Sequence, residues 1–555
     1  MRTTSSFPDV ALLLFSTLLI ASYAVALNFI FYDKFGPFYD SMSYLNQMAR
    51  VMGTTSNEGV LAGIRAAATG GTVFMPMLES VALATLHKPA RWLAVAVQLP
   101  WLMTYVVSGY FYFRVCLGLR GAHAVCLSIS LVCFSAVVYF NGGIADFRMD
   151  LLLTFTFGTC VALYLIARET PKLSIWVLFG VAVAVCCLCR ATAPVYLVLV
   201  FGPLAIIDCV GARRRDRLKG LLASGFVALA LSGWFFVLNF DRLYYYYVVW
   251  NPDANAHLPF RQSVEHLNFV WTGIGQPIGL VLVFSIAVSA VFARWRSLSI
   301  NWRPLWAGIA PVSYLVLSGS GLNPFVSMVS IPGLMLFALA PLKPDEESRA
   351  GWFGRNAIAA AAVLASVVSL SAGIANHRTN VSEWVPGNQA SQEIARLIVE
   401  NAVASGASRS LSVAAAYSGA IDANVVTNVL VFDRGFAIDS RGCLANGRVR
   451  LEPMTLGLSS LAEWNAMPGT ADGEKVESLA ERLVSSVDFV ILVDDSTLPI
   501  AHPHTPVNRL TRRLNELVLT RGHWLQLGGP IVVSAMETVH IYQNRSRSDS
   551  VKTRC

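Results

Sequence analysis

The chain has 555 residues, of which 55% are hydrophobic and only 14% are charged. That balance excludes an ordinary soluble protein and predicts a polytopic membrane protein, in which each spanning helix needs about 20 apolar residues. The formal net charge of +8 comes largely from short loops between apolar segments, so it gives no reason to expect a nucleic-acid partner.

Eleven apolar segments are long enough to predict membrane-spanning helices. The first, Val10 to Phe31, contains the small-residue motif Ala24-Val25-Ala26, so a cleaved signal peptide is the alternative for this segment. We favour a retained helix because the segment is longer than an ordinary signal core. The predicted spans are centred near Leu18, Met103, Leu131, Phe157, Val181, Val200, Leu229, Phe284, Pro311, Leu334 and Ala365.

Lys and Arg collect in every second loop between these segments, and this pattern sets the predicted orientation because short cytoplasmic loops retain positive charge. The basic loops include Arg213 to Lys219 and Lys343 to Arg355. The loops that contain Asp40 and Asp146 then face the outside. An odd number of spans also places the chain after about Asn376 outside.

A change of composition near residue 376 predicts two modules. Residues 1–375 form a transmembrane α-helical module with a long first extracytoplasmic loop at 32–88, and residues 376–555 form a soluble extracytoplasmic α/β domain. The predicted elements of this domain are helices over Gln389 to Val403, Val476 to Val487 and Val507 to Thr520, strands over Ser410 to Ala416, Val425 to Phe432 and Phe489 to Val493, and a hairpin over Ile531 to Tyr542.

The long first loop contains three helix-compatible stretches, Ser43 to Met52, Glu58 to Ala68 and Met75 to Leu86. Their apolar surface suits helices that lie on the membrane. A later outer segment, Tyr244 to Asp253, is aromatic and polar. It is typical of an interfacial aromatic belt, with a wall for a sugar or lipid chain as the alternative.

Cysteine usage separates the two modules. Eight of the ten cysteines fall in or beside predicted spans, where they pack as small hydrophobic side chains. Cys443 and Cys555 lie in the outer domain, where an oxidising compartment would allow a disulfide, and the sequence leaves their pairing open.

Acids cluster beside spans on the predicted outer face. Asp40 follows the first span in Gly-Pro-Phe-Tyr-Asp-Ser-Met-Ser-Tyr, and Asp146 and Asp150 belong to Gly-Gly-Ile-Ala-Asp-Phe-Arg-Met-Asp before the fourth span. Acids that converge at one membrane face indicate a functional site. A carboxylate there is able to accept the proton of an acceptor hydroxyl while cations stabilise a phosphate leaving group. The alternative for Asp146 and Asp150 is helix capping.

These motifs and their order resemble the integral-membrane GT-C glycosyltransferases, particularly the bacterial relatives of dolichyl-phosphate-mannose protein mannosyltransferases and lipid A aminoarabinose transferases. The resemblance covers roughly residues 1–340. It implies an inverting transfer from a polyprenyl-phosphate sugar donor to an envelope glycan, lipid or protein acceptor, in the lipid of a bacterial inner membrane. A divalent cation (Mg²⁺, Mn²⁺ or Ca²⁺) at Asp40 and Asp150 is a further expectation.

The resemblance also implies roles for individual residues. Asp40 is expected to be the catalytic base, and Asp150, with Asp146 beside it, best matches the second-loop acid. Two family motifs are absent, because Phe74-Met75-Pro76 replaces an acidic-basic-proline triplet and no Arg-Tyr pair precedes a late span. We therefore expect other residues to bind the substrates: Tyr44, Glu79, Arg148, Arg190, Tyr246 and Arg261.

Two other function classes remain as alternatives. A transporter or channel would suit eleven spans, but no inverted repeat is visible and few acids lie at mid-span depth. A non-catalytic envelope-assembly scaffold would use the outer domain to bind partners and would need no catalytic carboxylate. An O-antigen ligase or polymerase would use similar donors, but its large outer loop is expected late in the membrane module.

Overall fold

The computed structural model describes residues 7–32, 40–69, 73–86, 89–139, 142–170, 172–210, 214–250, 258–296, 300–319, 321, 324–342, 349–406, 410–415, 423–454, 461–494, 506–534 and 537–546. The helices are α1 (Phe7–Tyr32), α2 (Asp40–Glu58), α3 (Val60–Thr69), α4 (Met75–Ala84), α5 (Leu93–Val115), α6 (Gly121–Ser130), α7 (Met149–Glu169), α8 (Leu173–Cys189), α9 (Ala193–Val210), α10 (Arg214–Tyr244), α11 (Phe260–Ser263), α12 (Glu265–Ile274), α13 (Gln276–Arg296), α14 (Trp302–Ser318), α15 (Pro324–Ser327), α16 (Ile331–Leu339), α17 (Arg349–Ala404), α18 (Ala423–Asn428), α19 (Leu461–Asn465), α20 (Asp472–Ser486) and α21 (Pro506–Thr520). The strands are β1 (Leu411–Ala415), β2 (Ala437–Ile438), β3 (Leu444–Ala445), β4 (Arg450–Met454), β5 (Phe489–Val493), β6 (Trp524–Ser534) and β7 (Glu537–Asn544).

The chain forms two compact units. The membrane unit contains Met1–Phe31, Ala94–Val237 and His257–Arg378, and the sheet unit contains Tyr32–Leu93, Leu238–Ala256 and Thr379–Cys555. The first loop therefore packs with the C-terminal residues, whereas the sequence-based division groups it with the membrane helices. The physical reason is that α2 buries Met42 and Ala49 in the apolar core of the sheet unit.

Among the described residues, five helices are long and apolar enough to cross a membrane: Pro8–Ala26, Leu93–Val115, Met149–Glu169, Ala193–Val210 and Arg215–Val249. A pair of helices, Phe260–Ile274 and Gln276–Val291, bends by 109° at its break and adds a sixth span if it is counted as one. The polytopic helical architecture is thus confirmed, while the count of eleven spans stays a prediction.

Helix α7 forms the centre of the membrane unit, because its apolar segment is entirely buried by neighbouring helices. Glycines allow the surrounding helices to pack closely. A Cβ on Gly333 of α16 would lie 2.3 Å from the backbone nitrogen of Gly308 on α14, so these two backbones touch. On the outside of the unit, α10 exposes Phe226 and Val237, as expected for side chains that face lipid.

A buried charged network closes the C-terminal end of α7. Asp208 of α9 accepts hydrogen bonds from Arg168 Nε of α7 at 3.0 Å and from Arg303 Nη2 of α14 at 2.8 Å. The hydroxyl of Tyr164, also on α7, donates to the second carboxylate oxygen at 2.9 Å. This network joins three helices through a carboxylate that is only 2% exposed.

The sheet unit is built on a seven-stranded mixed sheet with the order β2-β3-β4-β1-β5-β7-β6. Strand β1 pairs in parallel with both β4 and β5, and the remaining pairs are antiparallel. Strands β1 and β5 are buried along their whole length, which explains their continuous apolar sequences. Helices α20 and α21 pack with them in one apolar core.

The sequence prediction of a strand over Val425 to Phe432 is wrong. The segment is helical, with α18 followed by a π-helical turn over Val429–Asp433. Its apolar run is buried on nearly every side, and such a short run does not distinguish a buried strand from a buried helix. The structure confirms the predicted strands β1 and β5, the predicted helices α20 and α21 and the C-terminal hairpin. The predicted helix over Gln389 to Val403 forms part of α17.

Cys443 differs from the other described cysteines. It is disulfide-bonded, whereas the eight cysteines of the membrane unit are free. Cys555 lies outside the described residues.

Candidate functional site

An ion pair joins the start of α7 to the end of α8. These consecutive helices pack side by side and run in opposite directions, so Asp150, in the first turn of α7, lies next to Arg190, which directly follows α8. Arg190 Nη1 lies 3.0 Å from Asp150 Oδ2. The Asp150 carboxylate is 5% exposed and the Arg190 side chain 16%, so the guanidinium is the more accessible partner.

A second acid–base pair lies in the loop before α7. Asp146 Oδ2 accepts a hydrogen bond from the backbone nitrogen of Gly142 at 2.6 Å and lies 3.9 Å from Arg148 Nε. The guanidinium carbon of Arg148 lies 3.7 Å from the centre of the Phe325 ring, a cation–π distance. Both charged side chains are at most 6% exposed. Asp146 therefore shapes its own loop, and Phe325 fixes the direction of Arg148.

Gln98 supports this loop from α5. Its amide nitrogen donates to the carbonyl oxygens of Ile144 at 3.0 Å and of Asp146 at 3.2 Å, as well as to Ala94 on its own helix. The side chain is fully buried. Sequence reasoning missed Gln98, although a single amide in an apolar span is a detectable signal.

His266 is a second buried polar residue that sequence reasoning missed. Its Nδ1 lies 2.9 Å from Ser327 Oγ, and both side chains are fully buried. Ser327 and Phe325 belong to the same short helix, α15, so this contact also fixes the element that carries the aromatic partner of Arg148. The signal in the sequence is weak, because no motif surrounds His266.

The two pairs offer two carboxylates and two guanidiniums. Guanidinium groups suit the binding of phosphate oxygens, because they donate several hydrogen bonds in a planar fork. Asp150 Oδ1 is buried and accepts no hydrogen bond within the described part of the chain. This oxygen is therefore suited to accept a hydrogen bond from a substrate hydroxyl.

A divalent cation has a less suitable environment among these residues. The described residues contain no group of three or more His, Cys, Asp or Glu side chains that could hold a metal ion. Asp150 offers one oxygen, but the neighbouring Arg190 guanidinium repels a cation. The cation predicted at Asp40 and Asp150 remains a prediction, since the Asp40 side chain lies outside the described residues.

The other predicted site residues fall on several elements. Asp40 is the first residue of α2, and Tyr44 lies one turn later and is half-buried. Glu79 is on α4, and Tyr246 lies in a π-helical segment over Tyr245–Trp250 and packs edge-to-face with Tyr247. These four belong to the sheet unit. Arg261 lies exposed on α11 of the membrane unit. Of the predicted residues, the structure thus forms two pairs near the start of α7, Asp146 with Arg148 and Asp150 with Arg190.

Two crystal structures of ArnT from Cupriavidus metallidurans resemble this chain over nearly its whole length. The structure bound to undecaprenyl phosphate covers 97% of this chain and 99% of its own, at 12% sequence identity and a TM-score of 0.55. The apo structure covers 94% and 97%, at 13% identity and a TM-score of 0.54. The chain has the fold of ArnT. No protein-family model and no curated protein matches its sequence.

The likeness to ArnT is one of fold. It covers the membrane helices together with the C-terminal sheet, and it confirms the fold that the motif resemblance implied. At 12–13% identity it does not transfer the role of any individual residue. The roles of the site residues are therefore argued from the contacts in this chain.

Proposed function

We propose that this protein is a glycosyltransferase that moves one sugar from a polyprenyl-phosphate carrier to an acceptor on the outer side of a bacterial inner membrane. The observation that carries the proposal is the largely buried Asp150–Arg190 pair at the start of α7, a helix that Arg148 directly precedes, within a membrane fold shared with ArnT. One ArnT structure holds undecaprenyl phosphate, a carrier lipid of the proposed class.

The proposed reaction is a single displacement. The acceptor hydroxyl attacks the anomeric carbon of the donor sugar and transfers its proton to the Asp40 carboxylate. The bond between the anomeric carbon and the phosphate oxygen breaks, and the polyprenyl phosphate leaves with the bonding electrons. Because attack and departure occur on opposite faces of the sugar, the anomeric configuration inverts.

The residues of these two pairs have complementary roles in this reaction. Arg190 and Arg148 bind the phosphate and stabilise the negative charge that develops as it leaves. Asp150 orients Arg190 through the bond to Oδ2, and its Oδ1 accepts a hydrogen bond from a sugar hydroxyl. Asp146 acts indirectly, by holding the loop that carries Arg148.

The outer location of the C-terminal domain is part of the proposal. The bonded Cys443 supports it, because stable disulfides form in oxidising compartments such as the bacterial periplasm. The alternation of basic and non-basic loops supports the same orientation. We propose that this domain recognises the acceptor, which is an envelope glycan, lipid or protein.

The test measures both the carrier lipid and the product in cells. Mass spectrometry compares envelope glycans, glycoproteins and polyprenyl-phosphate sugars in cells that produce the wild type, in cells that produce Asp40→Asn and in cells that lack the protein. We expect the second and third strains to lose one sugar modification and to accumulate the corresponding sugar-linked carrier. Identical glycans and carrier lipids in all three strains would rule out the proposed reaction.

A further inference from the structure

The segment just before α5 and the C-terminal residues of the sheet unit are joined by a guanidinium–carboxylate clamp. Arg91 Nη2 lies 2.8 Å from both oxygens of Asp433, and Arg91 Nε lies 3.2 Å from Oδ1. Gln392 of α17 donates to Asp433 Oδ2 at 2.7 Å. A guanidinium that meets a carboxylate through several bonds fixes the relative direction of the two groups as well as their distance.

The clamp continues to α2 through buried amides. Arg91 Nη1 donates to Asn428 Oδ1 at 2.9 Å, and Asn428 is fully buried. Asn46 of α2 lies 3.4 Å from the Asn428 amide nitrogen and donates to the carbonyl oxygen of Asn424 at 2.8 Å. The helical segment Ala423–Asp433 therefore holds Arg91 at its end and α2 along its side.

Backbone packing makes the position of α2 sensitive to the position of the Ala423–Asp433 segment. A Cβ on Gly53 would lie 2.4 Å from the carbonyl oxygen of Ile438, so α2 touches the edge of the sheet directly. Asn46 follows Asp40 by six residues, which is about 9 Å along a helix. A shift of the Ala423–Asp433 segment would accordingly move the start of α2.

We propose that Arg91 and Asp433 are positioning residues that hold α2, and with it Asp40 and Tyr44, in a fixed place on the C-terminal sheet. This inference rests on the proposed glycosyl transfer, in which Asp40 must meet the acceptor hydroxyl. It assigns the C-terminal domain a part in aligning the proposed base. A substrate-binding residue would change KM, whereas a positioning residue of this kind changes kcat.

The experiment combines hydrogen exchange with kinetics in the purified full-length protein. Asp433→Asn and Arg91→Gln are expected to speed amide exchange in α2 by at least about threefold, because local opening becomes easier. We expect kcat for sugar transfer to fall about tenfold, with KM changed less than about twofold. The charge-swapped variant, Arg91→Asp with Asp433→Arg, should recover part of both losses.

A matched control comes from another ion pair in the same unit. Arg513 Nε donates to Glu477 Oε1 at 2.7 Å on the surface of α20 and α21, and this pair is more exposed than Arg91 and Asp433. Glu477→Gln should leave both α2 exchange and kcat unchanged. Unchanged α2 exchange in Asp433→Asn, or faster exchange with unchanged kcat, would overturn the positioning role. Absence of sugar transfer by the wild type would instead overturn the proposed function, and α2 exchange in the same samples would still decide whether the clamp holds α2.

Discussion

Asp146 and Asp150 are four residues apart, but their side chains have different partners. Asp150 reaches across to Arg190 at the end of the next helix, whereas Asp146 accepts a hydrogen bond from the backbone of its own loop. The first contact places a cation where we propose that the phosphate of the donor lipid binds. The second contact maintains the shape of the loop, which gives Asp146 a supporting role.

We predict that Asp150→Asn is more damaging to sugar transfer than Asp146→Asn. A neutral amide no longer pairs with the partly buried Arg190 charge, and the loss should reduce kcat/KM by at least about a hundredfold. Steady-state transfer by the purified variants in lipid nanodiscs measures the difference. Asp216→Asn, at an exposed position on α10, is the control. Equal or reversed effects, or full activity of the double variant, would contradict this ranking.

We predict that Asp40→Asn abolishes transfer while expression and thermal stability stay near those of the wild type. A group that accepts a proton in the transition state contributes at least about a hundredfold to the rate. Transfer assays and thermal unfolding of the same preparation separate loss of chemistry from loss of folding. Near-normal turnover would remove Asp40 from the mechanism.

At the scale of elements, α7 connects two charged ends through an apolar middle. Its N-terminal end carries the candidate site, and its C-terminal end is bound through Arg168 and Tyr164 to the buried Asp208. Asp208 also accepts a hydrogen bond from Arg303 of α14. The C-terminal end of α7 is therefore a structural junction, because the Asp208 carboxylate of α9 accepts hydrogen bonds from side chains of both α7 and α14.

We predict that Asp208→Asn destabilises the protein by about 3–5 kcal/mol, because it removes the buried carboxylate that pairs with two largely buried guanidiniums. Thermal unfolding in detergent should show the loss as a lower Tm. Glu169→Gln is the matched control, since Glu169 also contacts Arg168 but is 42% exposed, and it should cost less than about 1 kcal/mol. A similar Tm for both variants would show that the junction is not important for stability.

The start of α20 gives a prediction about pH. Glu474 Oε2 accepts hydrogen bonds from the backbone nitrogens of Thr470 at 2.7 Å and Ala471 at 3.3 Å, and these bonds lower the pKa of Glu474. Its contribution to stability is therefore complete above the ordinary glutamate pKa and is lost as the pH falls through the lowered value. The Tm difference between wild type and Glu474→Gln should shrink from pH 7 towards about pH 3. A difference that does not depend on pH would exclude this role of the carboxylate.

At the scale of the whole molecule, the orientation of the chain decides which residues meet the substrates. We predict that a cysteine introduced at Thr470 reacts with an impermeant thiol reagent in intact spheroplasts, because we propose that the C-terminal domain lies outside. A cysteine at Arg215, which is exposed in the first turn of α10 within a basic stretch, should react only after lysis. Both are introduced after the exposed Cys126 is replaced by Ala. Protection of Thr470→Cys before lysis would reverse the topology and separate Asp40 and Asp150 from the proposed outer substrates.

The sequence by itself determined the membrane class, the position of most helices and the acidic loop before α7. Length and apolarity set these features locally, because each spanning segment must satisfy its own backbone hydrogen bonds. It also indicated Asp146, Arg148 and Asp150, which share one short motif. The position of Arg190 at a helix end also indicated this residue. The sequence did not predict its pairing with Asp150.

Only the tertiary structure decided which distant groups meet. Gln98 supports the loop of Asp146, Phe325 lies under Arg148, and Arg91 reaches Asp433, across separations of 48, 177 and 342 residues, respectively. It also decided that the segment from Val425 to Phe432 is helical. The physical reason is that an apolar pattern records that a side chain is buried, whereas packing between elements determines what it is buried against.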